Sequence, residues 1–174
     1  MAKIPYKKLP RAVVPSLAIV ALLGAGAAFL SLETVEEFEG YVPEGYLDPV
    51  GIPTKCFGDT QNVVVGQQYT FEECSRSLND HLYELAAPVT ICIKGFDGLP
   101  DKTKAALVSM AYNIGSGAFC KSSVARYFNS GDRERGCRRI AEIYKTAKGR
   151  ELSGLVRRRN YESQMCLQGL REGR

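Results

Sequence analysis

Glu39, Asp48 and Thr54 stand at the spacing Glu-x8-Asp-x5-Thr. If Glu39 ends a helix and Asp48 sits on the lip of a hairpin, two carboxyl groups face each other across a cleft. Such a pair suits glycoside hydrolysis, in which one group protonates the leaving oxygen and the other helps to activate water. Each residue also has an ordinary local role, as a helix-terminal Glu, a turn Asp and a strand Thr. His81 is the only histidine, so a multi-histidine metal site is excluded and any Ser–His–Asp or Cys–His system would rest on His81 alone. The phosphate-cradling glycine motifs G-x-x-x-x-G-K-[ST] and G-x-G-x-x-G are absent. No cofactor and no metal is expected.

The elements that must position the triad are legible. Thr34-x-x-Glu37 has the form of a capping box, and Gly40 can close the short helix that follows it. Residues 41–69 suggest a small β region, with strands around Tyr46-Leu47, over Thr54–Phe57 and over Asn62–Tyr69. Asp48-Pro49-Val50-Gly51 has type I turn preferences. From Thr70 the period becomes helical: Thr70-x-x-Glu73 caps a helix carrying Leu78, Leu82 and Leu85 on one face. Pro100-Asp101 opens another helix, which ends at Gly115, and further helices fit 132–145 and 154–168. The fold class is α+β, a small three-stranded lobe and a larger helical lobe, preceded by an N-terminal apolar helix.

That apolar stretch, Ala12 to Leu32, carries no charge and follows Lys3, Lys7, Lys8 and Arg11. As a helix it is about long enough to cross a ~30 Å hydrocarbon layer, with the basic end held in the cytoplasm. It is rich in Ala and Gly, and small side chains bury little apolar area, so the helix can insert and leave again. Residues 1–32 are expected to form a retained weak anchor and residues 33–174 the soluble domain; a signal peptide cleaved near Gly26-Ala27-Ala28 is the alternative. The net charge of +4 conceals −8 over residues 12–120 and +8 over residues 121–174. An anionic ligand held against the last part is one explanation, and a solvated helical face is the other. No motif points to nucleic acid. Cys56, Cys74, Cys92, Cys120, Cys137 and Cys166 fit three disulfides in an oxidising compartment, and their count leaves the pairing open. The pairing expected is Cys137–Cys166, joining the last two helices, with Cys56–Cys74 and Cys92–Cys120.

Phe38-Glu39-Gly40, Tyr46-Leu47-Asp48-Pro49-Val50-Gly51 and Thr54-Lys55-Cys56-Phe57-Gly58 together resemble the catalytic region of phage-type lysozymes, glycoside hydrolase family 24. Tyr69-Thr70-x-x-Glu73-Cys74, Ala111-Tyr112-Asn113-Ile114-Gly115-x-Gly117-Ala118-Phe119 and Gly154-Leu155-Val156-Arg157-Arg158-Arg159 resemble the family's later helices. With the weak apolar start, the chain is similar to signal-anchor-release endolysins of the lambdoid phage 21 kind. The resemblance implies a lysozyme-like fold and a muramidase acting on peptidoglycan. It makes Glu39 the general acid and gives Asp48 and Thr54 the attacking water, usually with inversion. It sets Asn113 near the glycan cleft and lets Arg158 brace Glu39. It implies a catalytic domain tethered to the host inner membrane, then released to the periplasm. The expected enzyme is a monomer that depends on a holin or pinholin without touching it and has no nucleic-acid partner. A non-catalytic, disulfide-braced peptidoglycan binder on the same scaffold is the competing expectation. Two departures stand out: Pro53 before Thr54 calls for an edge or bent strand, and Asp59 occupies a place where many relatives have histidine. Glu39 lies seven residues past Leu32, about 10 Å along a helix, so an inserted span would pin the catalytic helix at the bilayer.

Overall fold

The computed structural model describes residues 6–48, 51–147 and 149–173. The apolar stretch is two helices rather than one, α1 (Leu17–Leu23) and α2 (Ala25–Glu39), set at 112° to each other. The break is at Gly24, whose φ of 87° and ψ of 154° are open to glycine and costly for a residue with a Cβ. No single described helix is long and apolar enough to cross a membrane, although the bent pair meets that test by length and composition. Ile19, Leu23, Ala27, Ala28, Leu32 and Val35 are buried in the core. A Cβ on Gly26 would fall 2.0 Å from Asp101 Oδ2, so the small residues let α2 lie directly on the start of α4 (Asp101–Ile114). The boundary between residues 32 and 33 therefore falls inside α2, with one core on both sides.

Thr34 is not an N-cap. It sits inside α2 and donates its hydroxyl to Leu30 O at 2.7 Å, because α2 begins ten residues earlier than the capping-box pattern suggests. Gly40 does end the helix, with φ 74° and its N–H on Glu36 O at 3.1 Å.

β1 (Val42–Leu47) and β2 (Pro53–Cys56) pair antiparallel, with Tyr46 opposite Thr54 and Leu47 opposite Pro53, and with an irregularity between Val42 and Tyr46. Pro53 stands at the first position of its strand, where a missing N–H costs least. Pro49 and Val50 of the expected turn lie outside the described residues; around them, Gly51 donates its N–H to Asp48 O at 2.9 Å. The third strand expected over 62–69 is reduced to its end: Gly66 and Tyr69 donate to Gly45 O and Pro43 O, and Gln67 O accepts from Gly45. A left-handed Asn62 and Gly66 keep the preceding residues in turns.

The helical lobe follows. α3 (Phe71–Cys92) opens with the expected Thr70–Glu73 capping box and carries Pro88 within it. A 3-10 turn (Phe96–Gly98) leads to α4, buried over most of its surface and packed between α2 and α8 (Ser153–Glu172). α5 (Ser116–Lys121), α6 (Ser123–Asn129) and α7 (Arg133–Ile140) connect them. α7 ends at Ile140, short of the expected residue 145, with the Ala141 N–H on Arg138 O; Tyr144 then takes a positive φ of 53°, and a short hairpin follows, β3 (Thr146–Ala147) with β4 (Arg150–Glu151). Disulfides join Cys56 to Cys74, Cys92 to Cys120 and Cys137 to Cys166, the pairing expected. The first ties β2 to α3, and the last ties α7 to α8.

Candidate functional site

Glu39 is the last residue of α2, directly before the Gly40 cap. Its side chain is about one-fifth exposed, and Oε1 accepts a hydrogen bond from Arg158 Nη1 at 2.5 Å. Oε2 faces Gly58, at 3.4 Å from where a Cβ would stand. The acid is thus held between the last helix and the return of the β lobe.

Arg158 does not serve Glu39 alone. Its Nε donates to Glu162 Oε1 at 3.1 Å and its Nη2 to Ser109 O at 3.2 Å, while the Ser109 hydroxyl donates to Glu162 Oε1 at 2.7 Å. Arg159 lies 2.9 Å from Glu162 Oε2, an ion contact without hydrogen-bond alignment, and donates to Asn113 Oδ1 at 2.6 Å. Arg158, Arg159 and Glu162 are all buried. Burial pushes Glu162 up and Arg159 down, and their mutual attraction opposes both movements. Two guanidinium groups facing two carboxylates leave the cluster near neutral, so Glu39 sees a shared cation. Isolation of a charge here would be expensive.

The β lobe ties Asp48 and Thr54 to the backbone of one residue, Ile52. Asp48 Oδ1 accepts from Ile52 N at 2.8 Å, and the Thr54 hydroxyl donates to Ile52 O at 3.0 Å. With its proton committed to that carbonyl, the Thr54 oxygen keeps two lone pairs with which to accept from a donor such as a water. Tyr46 stands opposite Thr54 in the sheet. Burial raises its hydroxyl pKa, followed by the influence of Tyr6, Asp48 and Glu39, so both carboxylates act on one phenol. Tyr112 braces the other side, donating to Phe57 O at 3.3 Å; burial and then Glu39 keep its phenol protonated.

Glu39, Asn113 and Arg158 line one cleft of about 350 Å³, with Phe38, Leu152 and Arg157 among the walls. Asp48 and Thr54 lie on the β lobe, outside the lining of this cleft, and the link to Glu39 is Tyr46, which feels both Asp48 and Glu39. Asp59 pairs with Lys55 at 3.5 Å and accepts the Ser77 hydroxyl of α3 at 2.6 Å, while His81 packs against Tyr112 with ring centroids 4.9 Å apart and the planes tilted by 50°. Among the described residues, no three His, Cys, Asp or Glu side chains are grouped to hold a metal ion. Sequence reasoning missed Glu162, Arg159, Ser109 and Ile52. The first two carried a signal, since Arg158, Arg159 and Glu162 are four and three apart on one helix; Ile52 acts through its backbone and carried none.

A family model described as phage lysozyme matches residues 36–162. A SAR-endolysin of Enterobacteria phage P21 is 34% identical over 166 residues, covering 89% of this chain and 98% of the relative. A SAR-endolysin of Bacteriophage PS119 is 36% identical over 132 residues, 75% of this chain and 77% of the relative. Among solved structures, the endolysin from Escherichia coli O157:H7 phage FAHEc1 aligns with a TM-score of 0.71 at 29% identity over 79% of this chain and 90% of that one. The active form of P1 phage endolysin Lyz shares the fold at 0.75 and 24% identity, covering 88% and 93% of the two chains.

Proposed function

The chain belongs to the phage lysozyme family, and from that premise we propose that it cleaves the β-1,4 bond between N-acetylmuramic acid and N-acetylglucosamine in bacterial peptidoglycan. It is a glycoside hydrolase and an endolysin, and cutting the wall lyses the host cell. Glu39 protonates the glycosidic oxygen, while Asp48 and Thr54 hold the attacking water. The observation that carries this reading is Glu39 itself, fixed between Arg158 and Gly58 at the head of a cleft, with the Ile52-linked Asp48 and Thr54 on the β side. Arg158 fixes the Glu39 carboxyl in place and divides its guanidinium between Glu39 and Glu162. Asn113, held by Arg159, offers its amide to the sugar from the cleft wall. Product analysis of digested peptidoglycan tests the assignment: reducing muramic acid ends support hydrolysis, and anhydro ends would replace it with transglycosylation.

The proposal extends to location. Residues 12–32 tether the chain to the host inner membrane with the N-terminus in the cytoplasm, and the enzyme is then released to the periplasm, under control of a holin or pinholin it does not touch. The basic tetrad, the small-residue apolar stretch and the SAR-endolysin relatives support this. While that stretch is in lipid, α2 lacks its contacts with α4, and Glu39 is not seated. Membrane fractionation before and after collapse of the membrane potential tests it; a chain soluble throughout would overturn the tether.

A further inference from the structure

The arm ahead of α1 is strapped to the enzyme. Lys7 donates its N–H to Tyr41 O at 2.8 Å in an antiparallel bridge, and Arg11 pairs with Glu72. Val13 N donates to Glu36 Oε1 at 3.3 Å, and Ser16 N to Asn79 Oδ1 at 2.7 Å. The bridge sets Tyr6 over Gly40, the residue that follows Glu39. A Cβ on Gly40 would fall 2.4 Å from Tyr6 Cδ1 and 2.5 Å from Cε1, so one edge of the ring occupies the space of the missing side chain. The rest of the residue, 57% of it, is open to solvent. A tyrosine serving only as a wedge would bury its ring; this one is seated by an edge and otherwise bare. It also shares a neighbourhood with the reacting groups, since the Tyr46 hydroxyl is influenced by Tyr6 ahead of Asp48 and Glu39.

We propose that Tyr6 is a saccharide-binding residue, its exposed ring a stacking platform for one pyranose of the glycan strand beside the bond to be cut. This rests on the muramidase reading above. The C–H face of a pyranose is apolar and faintly positive, and it complements the negative face of a phenol ring. A tyrosine fixed at its edge loses little rotamer freedom on binding. Residue 6 precedes the apolar stretch, so in a tethered chain it is across the bilayer from the wall. The substrate site is then complete only when the arm has followed the apolar stretch out of the membrane and docked on Tyr41.

The test uses the full-length released enzyme, a tetramer of N-acetylglucosamine as binding probe, and solubilised glycan strands as substrate. Tyr6→Ala is expected to weaken tetramer binding and raise KM about tenfold, with kcat within about twofold, and Tyr6→Trp to restore both. A fall in kcat at unchanged KM would assign the ring a strapping role and overturn the proposal. Should Tyr6→Ala fold poorly, the wild-type ring resonances, identified by comparison with Tyr6→Phe, must shift as the tetramer is added; no shift overturns it equally. Wild-type enzyme that cuts no glycan would sink the muramidase reading, whereas active wild type matched by a fully competent Tyr6→Ala sinks this inference alone.

Discussion

The two groups of candidate residues, one on the helical lobe and one on the β lobe, are held by different means. On the helical side, Glu39 is held by side chains: Arg158, Arg159, Glu162 and Ser109 form a buried charge cluster between α4 and α8. On the β side, Asp48 and Thr54 are held by the backbone of Ile52 in a half-open hairpin, stapled to α3 through Cys56–Cys74. The helical side therefore rests the proposed acid on a scaffold of buried charges, whereas the β side holds its proposed residues by main-chain hydrogen bonds. A change in the cluster should cost folding, and one in the hairpin should cost turnover.

The largest expected effect separates the acid from its scaffold. Glu39→Gln should lower wall clearing by about a thousandfold or more, while stability moves by no more than about 1 kcal/mol, because the amide oxygen still accepts from Arg158. Turbidity assays and denaturant melts read the two outcomes; retained clearing would hand the site to the non-catalytic binder. Glu162→Gln attacks the scaffold itself. It leaves buried Arg159 without its counter-charge, and we expect a loss of about 3–5 kcal/mol in chemical denaturation. Unchanged stability would erase the contrast between the lobes. Thr54→Val is the matching experiment on the β side: activity should fall by roughly tenfold to a hundredfold for a stability cost of about 1 kcal/mol, since only the bond to Ile52 O is lost.

The smallest effect sharpens the comparison at the arm. Burial raises Glu36 from 4.5 to about 7, against the pull of the Val13 N–H and with help from Glu33. The folded state thus holds this proton more tightly than the unfolded chain does. Its contribution is fully present below pH 4.5 and is lost as pH rises through about 7. Melting temperature should decline slightly over that window, and Glu36→Gln, which still accepts from Val13, should flatten the decline.

The residues that made the site legible were those acting through local chemistry. Glu39 before Gly40, Asp48 before a Pro-x-Gly turn and the Thr70–Glu73 box all declare their roles within a few positions. The three disulfides were within reach because each closes a contact between elements adjacent in the fold. The break at Gly24 was hidden, since a glycine among alanines looks the same in one helix or two until α4 supplies a surface to fold against. Thr34-x-x-Glu37 misled for a related reason: tertiary burial of Ala27, Ala28 and Leu32 extends the helix past a plausible cap. Tyr6 and Ile52 carried no signal, because one depends on a distant docked arm and the other on its peptide group.

Gly26 places a ceiling on how oily its own segment can become. A bulkier residue there would hold lipid more firmly, yet it would collide with Asp101 once the helices fold together in water. Under the proposed tether the stretch has to suit two solvents with one set of side chains, and its many alanines and glycines are the composition on which both demands agree.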